Sequence, residues 1–301
     1  MSLLGFGRLI RISLAPSAAA DVVAGLVFAS GGRFPSDARA WWLVPASLCV
    51  YHGALALNDW NDRAHDAVTR PTRPLPAGEI ASGRALAVGL ALVVAGVALA
   101  ALAAPRCAVW YGILALLALT YDWIGRGAIV GPLLLAACRA LNLGAGIYFV
   151  AGDETARFAT YAPCLVYGSY VFAVSRLGRM EDKEDGAPLA RRPSVWLNVI
   201  GLVLFAFLAV PEVVRPERAV VLTLAVTAAF GLWRTAYATT TWTRGLVERA
   251  MGLCLRRLLV CAAIVALLRA RFDVPDAWIA ALAILAGYPL AHALRRSFPP
   301  S

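Results

Sequence analysis

Asn58-Asp59-Trp60-Asn61-Asp62-Arg63-Ala64-His65-Asp66 closes an apolar run, residues 40–57, that is long enough to cross a bilayer. In a helix Asn58, Asp62 and Asp66 stand at i, i+4 and i+8 and stack on one face. Carboxylates crowded beside a membrane are costly unless a cation lies between them, and a divalent ion is the natural choice. A second acidic cluster, Glu181-Asp182-Lys183-Glu184-Asp185, follows after a long apolar interval. Two such clusters at one membrane face point to Mg²⁺ holding a diphosphate.

Working outward, the 301-residue chain is 60% hydrophobic and only 15% charged, with a mean hydropathy of +0.71. A soluble domain carries about 25% charged residues. The class is therefore all-α, a polytopic membrane bundle, because a segment in lipid must satisfy its own backbone polar groups. Apolar runs fall at 9–29, 40–57, 85–104, 107–121, 128–150, 159–175, 195–211, 218–238, 255–270 and 276–294. They give nine to ten spans and one domain over 1–301. The first run reads as a retained span rather than a cleaved leader.

With the N-terminus inside, 19 of the 28 Lys and Arg lie on the side of both acidic clusters and eight on the other, with Arg139 mid-span. By the positive-inside rule the acidic loops are cytoplasmic, and a bacterial inner membrane is the expected location. The net charge of +10 would suggest nucleic acid in a soluble protein, but here the loop arginines that set orientation account for it, and no nucleic-acid partner is expected. Six cysteines stand singly in or beside apolar runs and read as small buried hydrophobes. His52, His65 and His292 are too dispersed for a histidine metal site. His52 reads as core or cavity lining, and His65 as interfacial.

The carboxylates set the expected chemistry. Mg²⁺ takes oxygen ligands, commonly one or two carboxylates plus phosphate oxygens. Asn58, Asp62, Asp66, Glu181, Asp182 and Asp185 are the candidate metal ligands. Asn58, Asp59, Asp62, Asp66, Asp182 and Asp185 are the candidate catalytic set. Arg63, Arg70, Arg73, Arg126, Arg179 and Lys183 supply cations in the same loops, and guanidinium forks fit phosphate oxygens. A metal-bound diphosphate becomes a better leaving group. The allylic cation then formed is captured in a water-poor cavity, where Tyr51, Trp60, Tyr121, Trp123 and Tyr148 could offer aromatic faces. Asp21 and Arg139 lie mid-span, with Asn142 one turn from Arg139, and intramembrane polar groups are functional candidates by default. The expectation is that the three are close and line the acceptor pocket. A buried ion pair that fixes helix register is the alternative.

Asn58-Asp59-x-x-Asp62-x-x-x-Asp66 resembles the NDxxDxxxD motif of the UbiA superfamily of intramembrane prenyltransferases. Arg70-Pro-x-Arg73-Pro-Leu-Pro76-x-Gly78 is similar to that family's continuation. Glu181-Asp182-Lys183-Glu184-Asp185-Gly186 looks like its second Asp-rich motif, although only Glu181 and Asp185 keep the DxxxD spacing. Tyr121-Asp-Trp-Ile-Gly-Arg126 resembles its Tyr-plus-basic signature with one extra residue. Arg11-Ile-Ser-x-x-Pro16, Asp21-Val-Val-Ala-Gly25, Thr120-Tyr-Asp122, Gly131-Pro132 and Cys138-Arg139-x-x-Asn142 are similar to the EboC-like branch. The resemblance implies a helical ring around a central cavity and a Mg²⁺-dependent transfer. The donor is then a polyprenyl diphosphate, and the acceptor an unidentified aromatic, sugar phosphate or other polar head within the membrane lipid. A terpene cyclase on the same fold, or a transporter or scaffold, is the competing reading. A CDP-alcohol phosphotransferase is a remote one: Asp185-Gly-Ala-Pro-Leu-Ala-Arg191 is one residue too long for that opening.

Overall fold

The computed structural model describes residues 3–124, 127–152, 158–180, 190–210 and 216–298. Among the described residues eleven α-helices follow one another: α1 (Leu3–Leu9), α2 (Ala15–Ala29), α3 (Leu43–Thr69), α4 (Ser82–Ala103), α5 (Pro105–Ile124), α6 (Val130–Ala151), α7 (Phe158–Gly178), α8 (Arg192–Ala206), α9 (Arg218–Ala238), α10 (Arg244–Leu267) and α11 (Asp276–Ser297). Among the described residues the only β-type pairing is a bridge between Arg271 and Val274, in the turn between α10 and α11. Among the described residues eight helical segments are long and apolar enough to cross a membrane, and α8 is a shorter apolar helix of 15 residues.

Pro163 and Pro289 lie inside α7 and α11, while three other prolines fall where a missing N–H costs little. Pro16, Pro105 and Pro193 stand at or beside a first residue. One boundary differs from the sequence expectation. The run 9–29 is not one helix. Arg11 adopts a left-handed backbone (φ 50°), a short 3₁₀ turn follows at Ile12–Leu14, and α2 begins only at Ala15. The helix read through the acidic motif after the run 40–57 is present. α3 continues for 27 residues, so the whole motif is helical.

α2 packs on α3 and α6 on one side and on α10 and α11 on the other. It joins two groups of four, α3–α6 and α7–α10, each threaded up and down. Small residues permit the closest seams. α2 and α6 run parallel, and a Cβ on Gly25 would stand 2.1 Å from the Leu143 carbonyl oxygen. One on Gly146 would stand 2.4 Å from the Leu26 nitrogen. Gly53, Gly89 and Gly96 serve the α3–α4 seam in the same way. The alternating directions bring the ends of α3, α5, α7 and α9 to one end of the bundle. The starts of α4, α6, α8 and α10 lie there too.

Candidate active site at the end of α3

The motif on α3 divides into two faces. Asp59 and Asp66 are almost fully buried and turn toward arginines. Asp59 Oδ1 accepts from Arg11 Nη2 at 2.5 Å and lies 3.4 Å from Arg73 Nη1. The same Arg73 nitrogen donates to Asp66 Oδ2 at 2.5 Å. Arg70 Nη1 is 3.9 Å from Asp66 Oδ1, a buried atom that has no hydrogen-bond partner. The left-handed turn at Arg11 and the loop after α3 therefore both fold back onto the motif. Backbone bonds from Arg73 N to the Arg70 carbonyl and from Ala77 N to the Arg73 carbonyl stiffen that loop, and Gly78 takes a positive φ of 73°. Arg8 anchors it further, donating to Glu79 at 2.5 Å and to the Thr72 carbonyl at 2.7 Å.

The other face carries Asn58 and Asp62. Asn58 Nδ2 donates to Asp122 Oδ1 at 2.8 Å and lies 3.4 Å from Asp62 Oδ2. Asn61 Nδ2 donates to the Asp122 carbonyl at 2.9 Å. Asp122, in the last turn of α5 beside the half-buried Tyr121, thus brings a third carboxylate to this face. Among the described residues it has no arginine or lysine partner. The stacking expected for Asn58, Asp62 and Asp66 is accordingly split: Asp66 is shared with Asp59 through Arg73, and Asn58 and Asp62 look toward α5. On a 3.6-residue helix all four positions still fall within an arc of about 100°.

Arg63 is exposed; its guanidinium lies 4.6 Å over the Trp60 ring and donates to the Trp60 carbonyl at 2.7 Å. Arg179 follows α7 directly and is half-buried. Arg126, Glu181, Asp182, Lys183 and Asp185 lie outside the described residues. Their flanks do not: Arg176, in the last turn of α7, donates to the Ala128 carbonyl in the α5–α6 turn. The end of α7 and the Asp122 end of α5 therefore meet at the same end of the bundle.

The donors on α3 and α5 are hard oxygens, the type Mg²⁺ prefers, and Asp66 Oδ1 is a buried acceptor with unused capacity. Among the described residues no three His, Cys, Asp or Glu side chains form a metal-holding group. These residues fit one part of a Mg²⁺ shell whose remaining oxygens come from elsewhere, as phosphate and a second acidic segment would provide.

Deeper in the bundle, Asp21, Arg139 and Asn142 are brought together. Arg139 Nη2 donates to Asp21 Oδ1 at 3.1 Å and Asn142 Nδ2 to Asp21 Oδ2 at 3.0 Å. Tyr167 of α7 closes the ring, its hydroxyl 2.6 Å from Asp21 Oδ1 and 2.8 Å from Arg139 Nη2. Ser47 of α3 donates to Asn142 Oδ1 at 2.7 Å. Asp21 is fully buried, and Arg139 Nε and Nη1 are buried without partners. The Arg139 guanidinium also stands 5.6 Å from the Tyr51 ring centre. His52 Nδ1 lies 2.6 Å from the Ile10 carbonyl oxygen, so this histidine ties α3 to the turn before α2.

Sequence reasoning missed Arg11, Asn61, Asp122, Tyr167 and Ser47 as site residues. Asp122 carried a signal, a carboxylate at the end of an apolar run. Tyr167 and Ser47 carried none, because their roles exist only once four helices meet.

Residues 18–260 match the model of the UbiA prenyltransferase family. A 62-residue segment is 44% identical to a digeranylgeranylglyceryl phosphate synthase from Methanothrix thermoacetophila, covering 21% of this chain and 23% of that one. The namesake enzyme of Sulfurisphaera tokodaii is 29% identical over 183 residues, 57% of this chain and 60% of its own. A 4-hydroxybenzoate octaprenyltransferase of Cupriavidus metallidurans is 30% identical over 169 residues, 55% and 56% of the two chains. In each case the matched part is less than two thirds of the relative's length. The apo structure of a UbiA homologue from Aeropyrum pernix K1 superposes with a TM-score of 0.62 at 17% identity, over 82% of this chain and 96% of that one. A structure of digeranylgeranylglyceryl phosphate synthase superposes with a TM-score of 0.60 at 15% identity, over 88% and 98%. At such identities these likenesses speak for the fold alone. The family model, spanning most of an integral membrane chain of eight or more apolar helices, gives the assignment: this chain belongs to the UbiA prenyltransferase family.

Proposed function

We propose that this protein transfers a prenyl group from an allylic polyprenyl diphosphate to an acceptor inside the membrane, at the end of the bundle where α3 carries its acidic motif. The observation that carries the reading is the convergence there of Asn58, Asp62 and Asp122 beside Asp66 and the arginines Arg11, Arg70 and Arg73. The relatives named as prenyltransferases support it. Asn58, Asp62 and Asp66, with Glu181, Asp182 and Asp185 of the second motif, would hold Mg²⁺. When bound, the metal would neutralise charge on the departing diphosphate.

The chain's own groups do the rest. Arg73, pinned between Asp59 and Asp66, holds the carboxylates in fixed rotamers and keeps the loop closed over them. Arg70, Arg126, Arg179 and Lys183 offer guanidinium or ammonium donors to phosphate oxygens. The C–O bond breaks with its electron pair leaving on the diphosphate. The acceptor's nucleophile then bonds to the allylic carbon and releases its proton to solvent. Asp21, Arg139 and Asn142 sit deeper between α2 and α6, where they would line the acceptor's side of the cavity. The arginine excess around the motif loops supports a cytoplasmic site.

The test is purified protein in lipid nanodiscs with labelled geranylgeranyl diphosphate, Mg²⁺ and a lipid extract, read as labelled product by mass and as released diphosphate. Release that persists undiminished in an Asp62→Ala/Asp66→Ala double variant, or after chelation, refutes the reading.

A further inference from the structure

We propose that the groove between α8 and α9 is a binding site for one anionic phospholipid with a hydroxyl-bearing headgroup, held in the leaflet at the α3-motif end. The groove has a volume of about 780 Å³ and is lined by Asn198 and Leu202 of α8 and by Phe230, Trp233, Arg234 and Tyr237 of α9. The α9 residues stand at i, i+3, i+4 and i+7 and so form one stripe. Its deep part is apolar and its mouth is polar. Leu202 and Phe230 are more than half exposed, where an acyl chain would cover them.

The floor is built for occupancy. Trp233 lies flat against α8, stacked on Phe205 at 5.6 Å and 11°. It can do so only because residue 201 is glycine: a Cβ there would stand 2.5 Å from the indole nitrogen. The mouth selects charge. Arg234 is exposed, lies one turn before the end of α9, and makes no ion pair among the described residues. A lone guanidinium facing lipid favours an anionic phosphate, as basic residues at membrane surfaces do. Asn198 has its amide nitrogen engaged by the Ser194 carbonyl at 2.9 Å, which leaves its side-chain oxygen as an acceptor. Tyr237, which lines the same groove, is largely exposed and brings a hydroxyl. A phosphate for Arg234 and hydroxyls for Asn198 and Tyr237 describe a glycerol-type headgroup such as that of phosphatidylglycerol.

The test is native mass spectrometry of the full chain from micelles doped with equimolar dioleoyl phosphatidylglycerol and phosphatidylcholine. The expected result is retention of one phosphatidylglycerol with a preference of about fivefold, the factor one basic residue contributes near a membrane. Arg234→Gln should remove the preference, while Arg295→Gln, a change to an exposed arginine on α11, should not. Gly201→Leu, which lifts Trp233 into the groove, should reduce retention of both lipids; a normal elution profile checks that each variant is folded. Three results overturn the proposal. One is equal loss of preference in Arg234→Gln and Arg295→Gln, which marks unspecific annular lipid. Another is displacement of the lipid by a stoichiometric prenyl diphosphate. The last is a dimer in place of the lipid adduct that Gly201→Leu dissociates.

Discussion

Replacing Arg139 with Met removes the cation from a carboxylate that has no exposure at all. Asp21 would keep the Tyr167 hydroxyl and the Asn142 amide, two neutral donors, against the full desolvation of its charge. Breaking one side of a buried pair costs about 3–5 kcal/mol. For a chain of this size each kcal/mol moves the midpoint by about 2–4 °C, so Arg139→Met should melt on the order of 10 °C below the parent. The double variant Asp21→Asn/Arg139→Met removes both charges and leaves an amide that Tyr167 and Asn142 can still meet. It should recover most of the loss, because replacing a whole buried pair is often neutral. The assay is thermal unfolding in detergent, followed by fluorescence-detected gel filtration, with prenyl transfer measured on the same preparations. An Arg139→Met midpoint within a degree or two of the parent, or a double variant no better than the single, refutes the energetic argument. A stable double variant with unchanged turnover would remove Asp21 and Arg139 from the acceptor pocket and leave them the register of α2 against α6.

Other outcomes follow from the same contacts. Asp122→Asn keeps the shape beside Asn58 but removes a carboxylate from the candidate metal face, so the Mg²⁺ concentration for half-maximal turnover should rise about tenfold, the equivalent of about 1.4 kcal/mol; a titration of diphosphate release checks it. Arg73→Met frees the loop after α3 and leaves Asp66 with Arg70 alone, and both turnover and protease resistance of residues 70–80 should fall. Gly146→Val drives a side chain into the backbone of α2 and should destabilise by at least about 1–3 kcal/mol, read by thermal unfolding. Arg63→Gln removes only an exposed contact with Trp60, so its effect on stability should stay within about 0.5 kcal/mol.

The apolar runs were legible because lipid demands long, internally satisfied helices, and ten runs became ten helices, α2 to α11. Their ends were less so. The i, i+4, i+8 spacing of Asn58, Asp62 and Asp66 suggested that α3 runs on through Asp66, but not which carboxylates would be buried; that is set by Arg11, from the turn before α2, and Arg73, from the loop after α3, which neutralise the buried face. Likewise Asp21 and Arg139 were visible as polar residues out of place, and their pairing followed from cost alone. Tyr167 and Ser47, which complete that network, are ordinary residues of apolar helices and acquire their roles only through the α2–α6–α7 and α2–α3 crossings. Asp122 shows the intermediate case: conspicuous in the sequence, but connected to Asn58 only by the parallel course of α3 and α5.

The uninterrupted length of α3 has a mechanical corollary. Leu43–Leu57 of it precedes the carboxylates, about 22 Å of helix, and the 3₁₀ turn Ala38–Trp42 that leads directly into it brings the segment near the roughly 30 Å of the hydrocarbon layer. The acidic patch is therefore bolted to a rod that cannot stretch, and its depth must answer to the thickness of the surrounding lipid. Longer acyl chains would draw Asp59 and Asp62 toward the oily layer, and shorter ones would release them to water. Reaction velocity should accordingly trace a maximum across a series of bilayers of increasing chain length.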